Sequence, residues 1–487
     1  MRVLFVSSEV FPLIKTGGLA DVAGALPLAL ARLKTDVRLL MPGYPQALEA
    51  ATRRKVVADL GNPLGAGPAR LIEGRLADSK VPLLLIDCPS LYGRDGNPYL
   101  GPDGKDWPDN ASRFGLLGHT AARLCAGESL IGWKPDILHG HDWQAGLAPA
   151  YLAAWGGTRP GTVFTIHNIA YQGLFDPSVL APLELPITSF SMAGLEYYGQ
   201  VSFLKAGCWY SDKITTVSPT YARQIQIPEQ GCGMEGLLAG RAEDLVGILN
   251  GTDDAIWNPA SDSYLAERYK PGDMIGKARN KAALQRELGL PMQPGRLLIA
   301  VISRLNDHKG MDVVIDSLPD LLMRQHCQFA GLGSGDAVIE AQFRALADRH
   351  SHHMALHLGY SEPLAHRIMA GADAFLMPSR MEPCGLTQMY ALKYGAIPIV
   401  GATGGLVDTV ADIDVQGETK AGRGFVLDDI GKASLLRAVK RANALFKDKV
   451  EWNRTAAANA GLDFSWKQSA QHYIDLYSNL LKRRSGA

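Results

Sequence analysis

Cysteine is scarce and scattered in this chain of 487 residues: six in all, at positions 88, 125, 208, 232, 327 and 384, with no C-x-x-C pair. That spacing indicates neither a zinc knuckle nor a disulfide framework, and a reducing cytoplasmic setting is expected. An excess of charge is also missing. Lysine and arginine total 49, and aspartate and glutamate also total 49, so no general attraction to nucleic acid or to an anionic membrane surface is expected. The one basic run, Lys482-Arg483-Arg484, reads as a solvated terminus. Long hydrophobic runs are absent, the longest being strand-sized, and no membrane-spanning helix is expected. Met1-Arg2 leads directly into a strand, so no signal or transit peptide is expected. There is no short-period repeat and no low-complexity segment.

What is present is an alternation of strand-like and helix-like segments, in a chain long enough for two or three domains. Apolar runs at 3–6, 81–86, 137–139, 162–166 and 213–217 read as strands, with helical periodicity between several of them. The pattern restarts at 296–302 and continues through 327–330, 354–358, 374–377 and 397–400. This argues for an α/β protein of two Rossmann-like domains, each a parallel sheet with helices on both faces. The division expected is 1–246 and 247–487, with a polar insertion as far as Gly295. The last helix, about 457–487, is a candidate for packing back on the first domain. Two such sheets facing one another would make a deep cleft. Residues 95–113, rich in Gly, Pro, Asp and Asn, read as an ordered functional loop or lid.

Ligands of parallel sheets bind beyond the carboxyl ends of the strands, and unusual polar residues recur there. Lys15-Thr16-Gly17-Gly18 lies between the first strand and a helix. Glycine lets ligand oxygens approach backbone amides, and lysine adds a point charge; a tight turn with a solvated lysine is the bland alternative. His139-Gly140-His141-Asp142-Trp143 and His167-Asn168 follow two further strands. They offer hydrogen-bonding groups for hydroxyls and a flat apolar face for a sugar ring. His139 alone reads as a core histidine. A metal held by His139 and His141 lacks a clear third ligand. In the second half, Arg304 and Lys309, five apart around a turn, could both grip one diphosphate. Glu382-Pro383-Cys384-Gly385-Leu386-Thr387 opens a further helix, whose N-terminus suits phosphate, while Glu382 suits sugar hydroxyls better. Cys384 is read as a reactive thiol beside that helix start. Thr403-Gly404-Gly405-Leu406 is another glycine-rich turn. Gly331-Leu332-Gly333-Ser334-Gly335 lacks the last glycine of a dinucleotide fingerprint.

Taken together, Lys15 through Val22, His141-Asp142-Trp143, Thr165 through Asn168, Phe203 through Gly207, Asn250-Gly251, Ser303-Arg304-Leu305 with Lys309-Gly310, and Pro378 through Gln388 resemble the bacterial glycogen synthases and the related plant starch synthases, in family order over nearly the whole chain. The resemblance implies a GT-B glycosyltransferase that moves glucose, with retention, from ADP-glucose to the non-reducing end of an α-1,4-glucan and releases ADP, with no metal or other cofactor. It implies catalytic roles for His167, Asp142, Arg304, Lys309 and Glu382. Donor and diphosphate contacts would come from Lys15, Gly17, Gly18, Asp21, Asn250, Cys384, Gly385, Leu386 and Thr387, with Tyr360 as the adenine platform. Tyr99 and Trp143 would serve the acceptor. Many retaining relatives carry a second glutamate eight positions after the first; here it is Tyr390, to which no catalytic role is assigned. Nucleic-acid and membrane partners are not expected, and a homo-oligomer is left open. The rivals are a sucrose- or trehalose-phosphate-type transferase, a glucan-binding protein with a decayed site, and a Rossmann oxidoreductase.

Overall fold

A computed structural model describes residues 1–76, 79–127, 129–414 and 421–486. The chain forms two compact units, Met1–Gly251 with Trp466–Ala487, and Thr252–Ser465. The division at 246/247 read from sequence thus falls five residues later. The chain from Trp466 belongs to the first unit, whereas the helix Lys449–Ala460 belongs to the second. The single last helix expected at about 457–487 is two helices separated at residues 461–465.

The strands of the first unit are β1 (Arg2–Val6), β2 (Asp36–Pro42), β3 (Thr52–Gly61), β4 (Ala69–Arg75), β5 (Pro82–Asp87), β6 (Ile137–His141), β7 (Gly161–Ile166), β8 (Leu174–Phe175), β9 (Glu196–Tyr197), β10 (Gln200–Ser202), β11 (Lys213–Thr216) and β12 (Leu245–Gly247). Among the described residues, nine of them form one sheet in the order β12-β11-β7-β6-β1-β2-β5-β4-β3, and β8-β10-β9 form a small second one. All pairings from β12 through β5 are parallel; β4 and β3 add an antiparallel edge. The parallel strands are continuous apolar runs because both their faces are covered: Val3 to Val6 and Leu83 to Ile86 are all buried. Edge strand β3 carries Arg53, Arg54 and Lys55 and is largely exposed, which blunts the open edge and hides the strand from an apolar-run search.

The helix Trp466–Ser485 turns Trp466, Ala470, Tyr473, Tyr477 and Leu480 into the core of this unit. Tyr477 Oη lies 2.7 Å from His139 Nδ1.

The second unit holds β13 (Leu298–Ile302), β14 (Gln328–Gly333), β15 (Met354–Leu358), β16 (Ala374–Met377), β17 (Ile397–Gly401), β18 (Val410–Asp412) and β19 (Gly422–Leu427), ordered β15-β14-β13-β16-β17-β19-β18 and parallel throughout. The stretch before Gly295, expected to be a polar insertion, contains the helix Met274–Glu287. Asp273 caps it through Ile275 N and Gly276 N at 3.0 and 3.2 Å. Its buried face includes Lys277, Asn280, Lys281 and Gln285, which an apolar-periodicity search cannot see.

In the interior of each sheet, away from the edge strands, the strand order reverses between β1 and β6 in the first unit and between β13 and β16 in the second. Crossovers on either side of such a reversal leave in opposite directions and open a crevice at the strand carboxyl ends.

Tyr477→Ala is expected to destabilise the protein by about 3–5 kcal/mol, as deletion of a fully buried aromatic does, with urea denaturation as the measurement. A loss below about 1 kcal/mol would show that the terminal helix is not part of the first unit's core.

Candidate active site

The first unit's reversal point is built around a carboxylate that the sequence reading did not single out. Glu9, three residues beyond β1, is 2% exposed. Its Oε1 accepts from Thr16 Oγ1 at 2.6 Å and from Tyr99 Oη; its Oε2 accepts from the Thr16 amide and, at 3.3 Å, from the Gly17 amide. Ser8 Oγ lies 2.8 Å from Tyr99 Oη. Burial, and then the neighbouring Glu9 charge, hold the Tyr99 phenol well above its ordinary pKa.

One expectation changes here, and two residues gain partners within the chain. The Gly17 amide, read as facing a diphosphate, donates to Glu9. Asp21, read as a donor contact, forms a 2.7 Å ion pair with Lys15. Tyr99 is tied into the first unit's interior through Glu9. Gly18 starts the helix Gly18–Arg32, and a Cβ added there would meet nothing within 4 Å. Packing within the chain therefore does not demand glycine at this point, and its effect is to leave the helix start open.

The ends of β6 and β7 supply the neighbouring groups. Asp142 adopts φ 56°, in the left-handed region that aspartate tolerates better than most residues. Its Oδ1 accepts the His167 amide at 2.7 Å. Burial is the largest influence on this carboxyl and pushes its pKa up to about 7, against the lowering effect of the His167 and Asn168 amides. His167 Nε2 and His141 Nδ1 share a 3.0 Å hydrogen bond. His139 is a core histidine, bonded to Tyr477 and, at 2.6 Å, to Thr165 Oγ1. Burial pushes His139 and His167 down to about 3 and His141 well below its ordinary value. All three are neutral, so a single proton lies between His141 and His167. Trp143, read as a flat apolar face for a sugar ring, is partly buried and packs among Phe114, Phe175, Phe203 and Tyr99, with centroid distances of 4.8 to 6.4 Å. Asn250 is buried at the end of the first unit, and its Oδ1 has no hydrogen-bond partner among the described residues.

At the second unit's reversal point, the loops after β13 and β16 are stitched together. Arg380 grips Asp312 through two 2.7 Å bonds, and its amide donates to the His308 carbonyl at 2.9 Å. Gly310 sits at φ 69°, and a Cβ there would lie 2.1 Å from the Pro378 carbonyl oxygen, so only glycine allows this approach. Asn306 Oδ1 accepts the Lys309 amide at 3.1 Å. Lys309 Nζ reaches Glu382 Oε2 at 2.5 Å, and Ser379 Oγ donates to the same oxygen at 3.0 Å. Glu382 is 7% exposed, whereas Arg304 is on the surface.

The helix after Glu382 begins where expected, at Thr387, with Leu386 as its N-cap. Buried Gln388 donates to the Cys384 and Gly385 carbonyls at 3.1 Å each and fixes the turn. Cys384, expected to be a reactive thiol, is 4% exposed, so thiol reagents have little access to it. Tyr360 is 71% exposed just beyond β15, and its hydroxyl donates to Glu362 at 3.1 Å. Tyr390 is buried and stacks on Trp257 at 4.2 Å, with His366 at 3.8 Å from the same indole. An ionised glutamate in that aromatic layer would lose its hydration without compensation. The Gly331–Gly335 motif is a packing device: a Cβ at Gly333 would lie 1.9 Å from the Ser303 carbonyl oxygen. Among the described residues, no group of three or more His, Cys, Asp or Glu side chains is arranged to hold a metal ion, and no helix is long and apolar enough to cross a membrane.

Two Rossmann-like units, each with polar and charged side chains at an interior reversal of strand order, are the architecture of a glycosyltransferase of the GT-B class. Comparison with known proteins gives the family. The starch synthase catalytic domain profile matches residues 2–240, and that of glycosyl transferases group 1 matches residues 288–451. A glycogen synthase of Paramagnetospirillum magneticum is 54% identical over 489 residues, covering 100% of this chain and 99% of its own. One of Rhodospirillum rubrum is 48% identical, covering 99% of both chains. The solved catalytic domain of Arabidopsis thaliana starch synthase IV, bound to ADP and acarbose, superposes with a TM-score of 0.87 at 31% identity over 99% of both chains. Sucrose-phosphate synthase of Thermosynechococcus elongatus shares the fold, with a TM-score of 0.60 at 15% identity. The chain belongs to the glycogen synthase family.

The buried titratable groups give a testable pH dependence. His139, His141 and His167 have folded pKa values far below the ordinary 6.5, so each takes up a proton when the chain unfolds between pH 4 and 6.5. Asp142 has a folded pKa above its ordinary 3.8, so it releases one on unfolding in the same window. The net uptake of two protons should lower stability by about 3 kcal/mol for each pH unit from 6.5 toward 4. Melting temperature measured from pH 7.5 to 4 should be level above 7 and fall steeply below 6.5; a flat profile would contradict the neutral histidine cluster.

Proposed function

We propose that the protein transfers glucose from ADP-glucose to the non-reducing end of an α-1,4-glucan with retention of configuration, releasing ADP. In this reaction the bond between the anomeric carbon and the diphosphate oxygen breaks. The acceptor 4-hydroxyl bonds to that carbon, and its proton leaves with ADP. The observation that carries the reading is the second unit's reversal point. There Lys309 is held on Glu382 at 2.5 Å and Arg304 stands exposed on the same loop.

Arg304 and Lys309 bind the diphosphate and stabilise the charge it gains on leaving. Glu382 positions the Lys309 ammonium and accepts from the donor glucose hydroxyls, while Tyr360 offers its exposed ring to the adenine. Gly385, Leu386 and Thr387 bring the helix start toward the phosphates. The first unit contributes Lys15 and the open helix start at Gly18. Asp142 and His167 bind the transferred glucose. The single proton shared by His141 and His167 fixes whether His167 Nδ1 donates to a sugar hydroxyl or accepts from one. No carboxylate is assigned as a covalent nucleophile. Attack occurs on the leaving-group face through an oxocarbenium-like state, and the diphosphate oxygen takes the acceptor's proton. Fixed cationic side chains provide the countercharge, so no metal is assigned. The site of action is the cytoplasm.

The deciding experiment is a donor screen with glycogen as acceptor. ADP-glucose should extend the glucan in preference to UDP-glucose, with and without EDTA. Absence of extension with ADP-glucose would overturn the reading, and a loss of activity in EDTA restored by one divalent ion would overturn the metal-free assignment. Arg304→Ala should lower kcat about a hundredfold, or about 3 kcal/mol, with little change in melting temperature, since the side chain is exposed. Lys309→Ala should match that kinetic loss and also melt earlier, because it strands the buried Glu382 carboxylate. Turnover near the parent's in either variant would remove these residues from the reaction.

A further inference from the structure

We propose that Glu9 is a positioning residue that couples the loop at residues 15–18 to the loop bearing Tyr99, so that the donor and acceptor sides of the first unit are held by one carboxylate. The kinetic consequence rests on the donor role proposed above for Lys15 and on the acceptor role that the family resemblance implies for Tyr99; the coupling itself rests on geometry.

A carboxylate taken out of water keeps its charge only when its lone pairs are met. Glu9 is 2% exposed, and its partners are neutral donors from two separate places in the chain. Oε2 receives the consecutive amides of Thr16 and Gly17, which fixes the backbone direction immediately after Lys15. Oε1 receives the Thr16 hydroxyl at 2.6 Å and the Tyr99 hydroxyl. Four donors fill the hydrogen-bonding capacity of a carboxylate. A shift of Tyr99 therefore changes how Oε1 can accept from Thr16, and a shift of the glycine loop changes how it can accept from Tyr99. Residues of both loops, among them Lys15, Thr16, Asn97 and Pro98, line a cavity of about 340 Å³. With that space open beside them, the carboxylate ties the two loops together from beneath. Asp21 holds the Lys15 ammonium from the helix side, so Glu9 and Asp21 between them fix both the backbone and the side chain of this lysine.

The test uses the full chain and two readouts. The first is amide hydrogen exchange over residues 15–18, which needs no assumption about substrate. Tyr99→Phe removes the hydroxyl donated to Glu9, together with its contact to Ser8 Oγ, and exchange in the glycine loop should accelerate at least about fivefold, as it should in Glu9→Gln, which leaves the Ser8 contact in place. Unchanged exchange in Tyr99→Phe would overturn the coupling. The second readout is steady-state kinetics with ADP-glucose and glycogen. Glu9→Gln should lower kcat about tenfold or more, since small misplacement of a reacting group is costly. Combining it with Lys15→Gln should cost no more than about twofold beyond the worse single variant, because both disable the same contact. Multiplicative losses, or a Glu9→Gln kcat within twofold of the parent, would overturn the positioning role. If Glu9→Gln does not fold, Thr16→Val and Tyr99→Phe replace it, with the same requirement that their losses not multiply. A parent inactive with ADP-glucose would defeat the functional reading, and the exchange experiment would still decide the coupling.

Discussion

The constraint on which the rest depends is the reversal of strand order among the central parallel strands of each sheet. Only there do adjacent crossovers part and leave backbone amides and side chains at the strand ends uncovered. In the first unit the reversal lies between β1 and β6; in the second it lies between β13 and β16. Glu9, Lys15, Gly18 and Asp142 lie just beyond the first pair of strands, and Arg304, Lys309, Glu382 and Thr387 just beyond the second. Strand order therefore decides which residues act, and the chemistry of their side chains decides what they do.

A second regularity is internal neutralisation. Lys15 is paired with Asp21 and Lys309 with Glu382, while Glu9 is satisfied by neutral donors. The buried histidines are uncharged, and Asp142 is held up to about 7 by burial. A site of this kind carries charged side chains whose cost is already compensated, so under the proposed function little reorganisation would be required as a diphosphate develops charge. The two pairs differ in burial: removing Lys309 would leave the buried Glu382 without its counterion, whereas Lys15 and Asp21 are both partly exposed.

The sequence shows the parts whose pattern is local. Apolar runs mark the central parallel strands because both of their faces are buried, and the polar residues that follow them mark the strand ends. Strand β3 escapes because Arg53, Arg54 and Lys55 give it the look of a loop, and the helix Met274–Glu287 escapes because it buries lysines and amides. The resemblance to glycogen synthases brings Lys309 and Glu382 forward together, but not their direct ion pair, which joins residues far apart in the chain. Trp143 is legible as an aromatic face after a strand, but its packing against Phe114, Phe175 and Phe203 is not. Glu9 is visible only as a carboxylate after the first strand. Its importance lies in contacts seven, eight and ninety residues away, which no local pattern contains.

The central claim is that Lys15 acts on the transition state and is not simply a nucleotide ligand. The direct measurement is ADP affinity by calorimetry alongside turnover at saturating ADP-glucose, in the parent and in Lys15→Gln. The account predicts ADP affinity within about threefold of the parent and turnover reduced about tenfold or more, a differential of about 0.7 kcal/mol or greater in favour of the transition state. Equal losses in affinity and turnover would make Lys15 a ground-state ligand, and no loss in either would return it to a solvated lysine beside a tight turn.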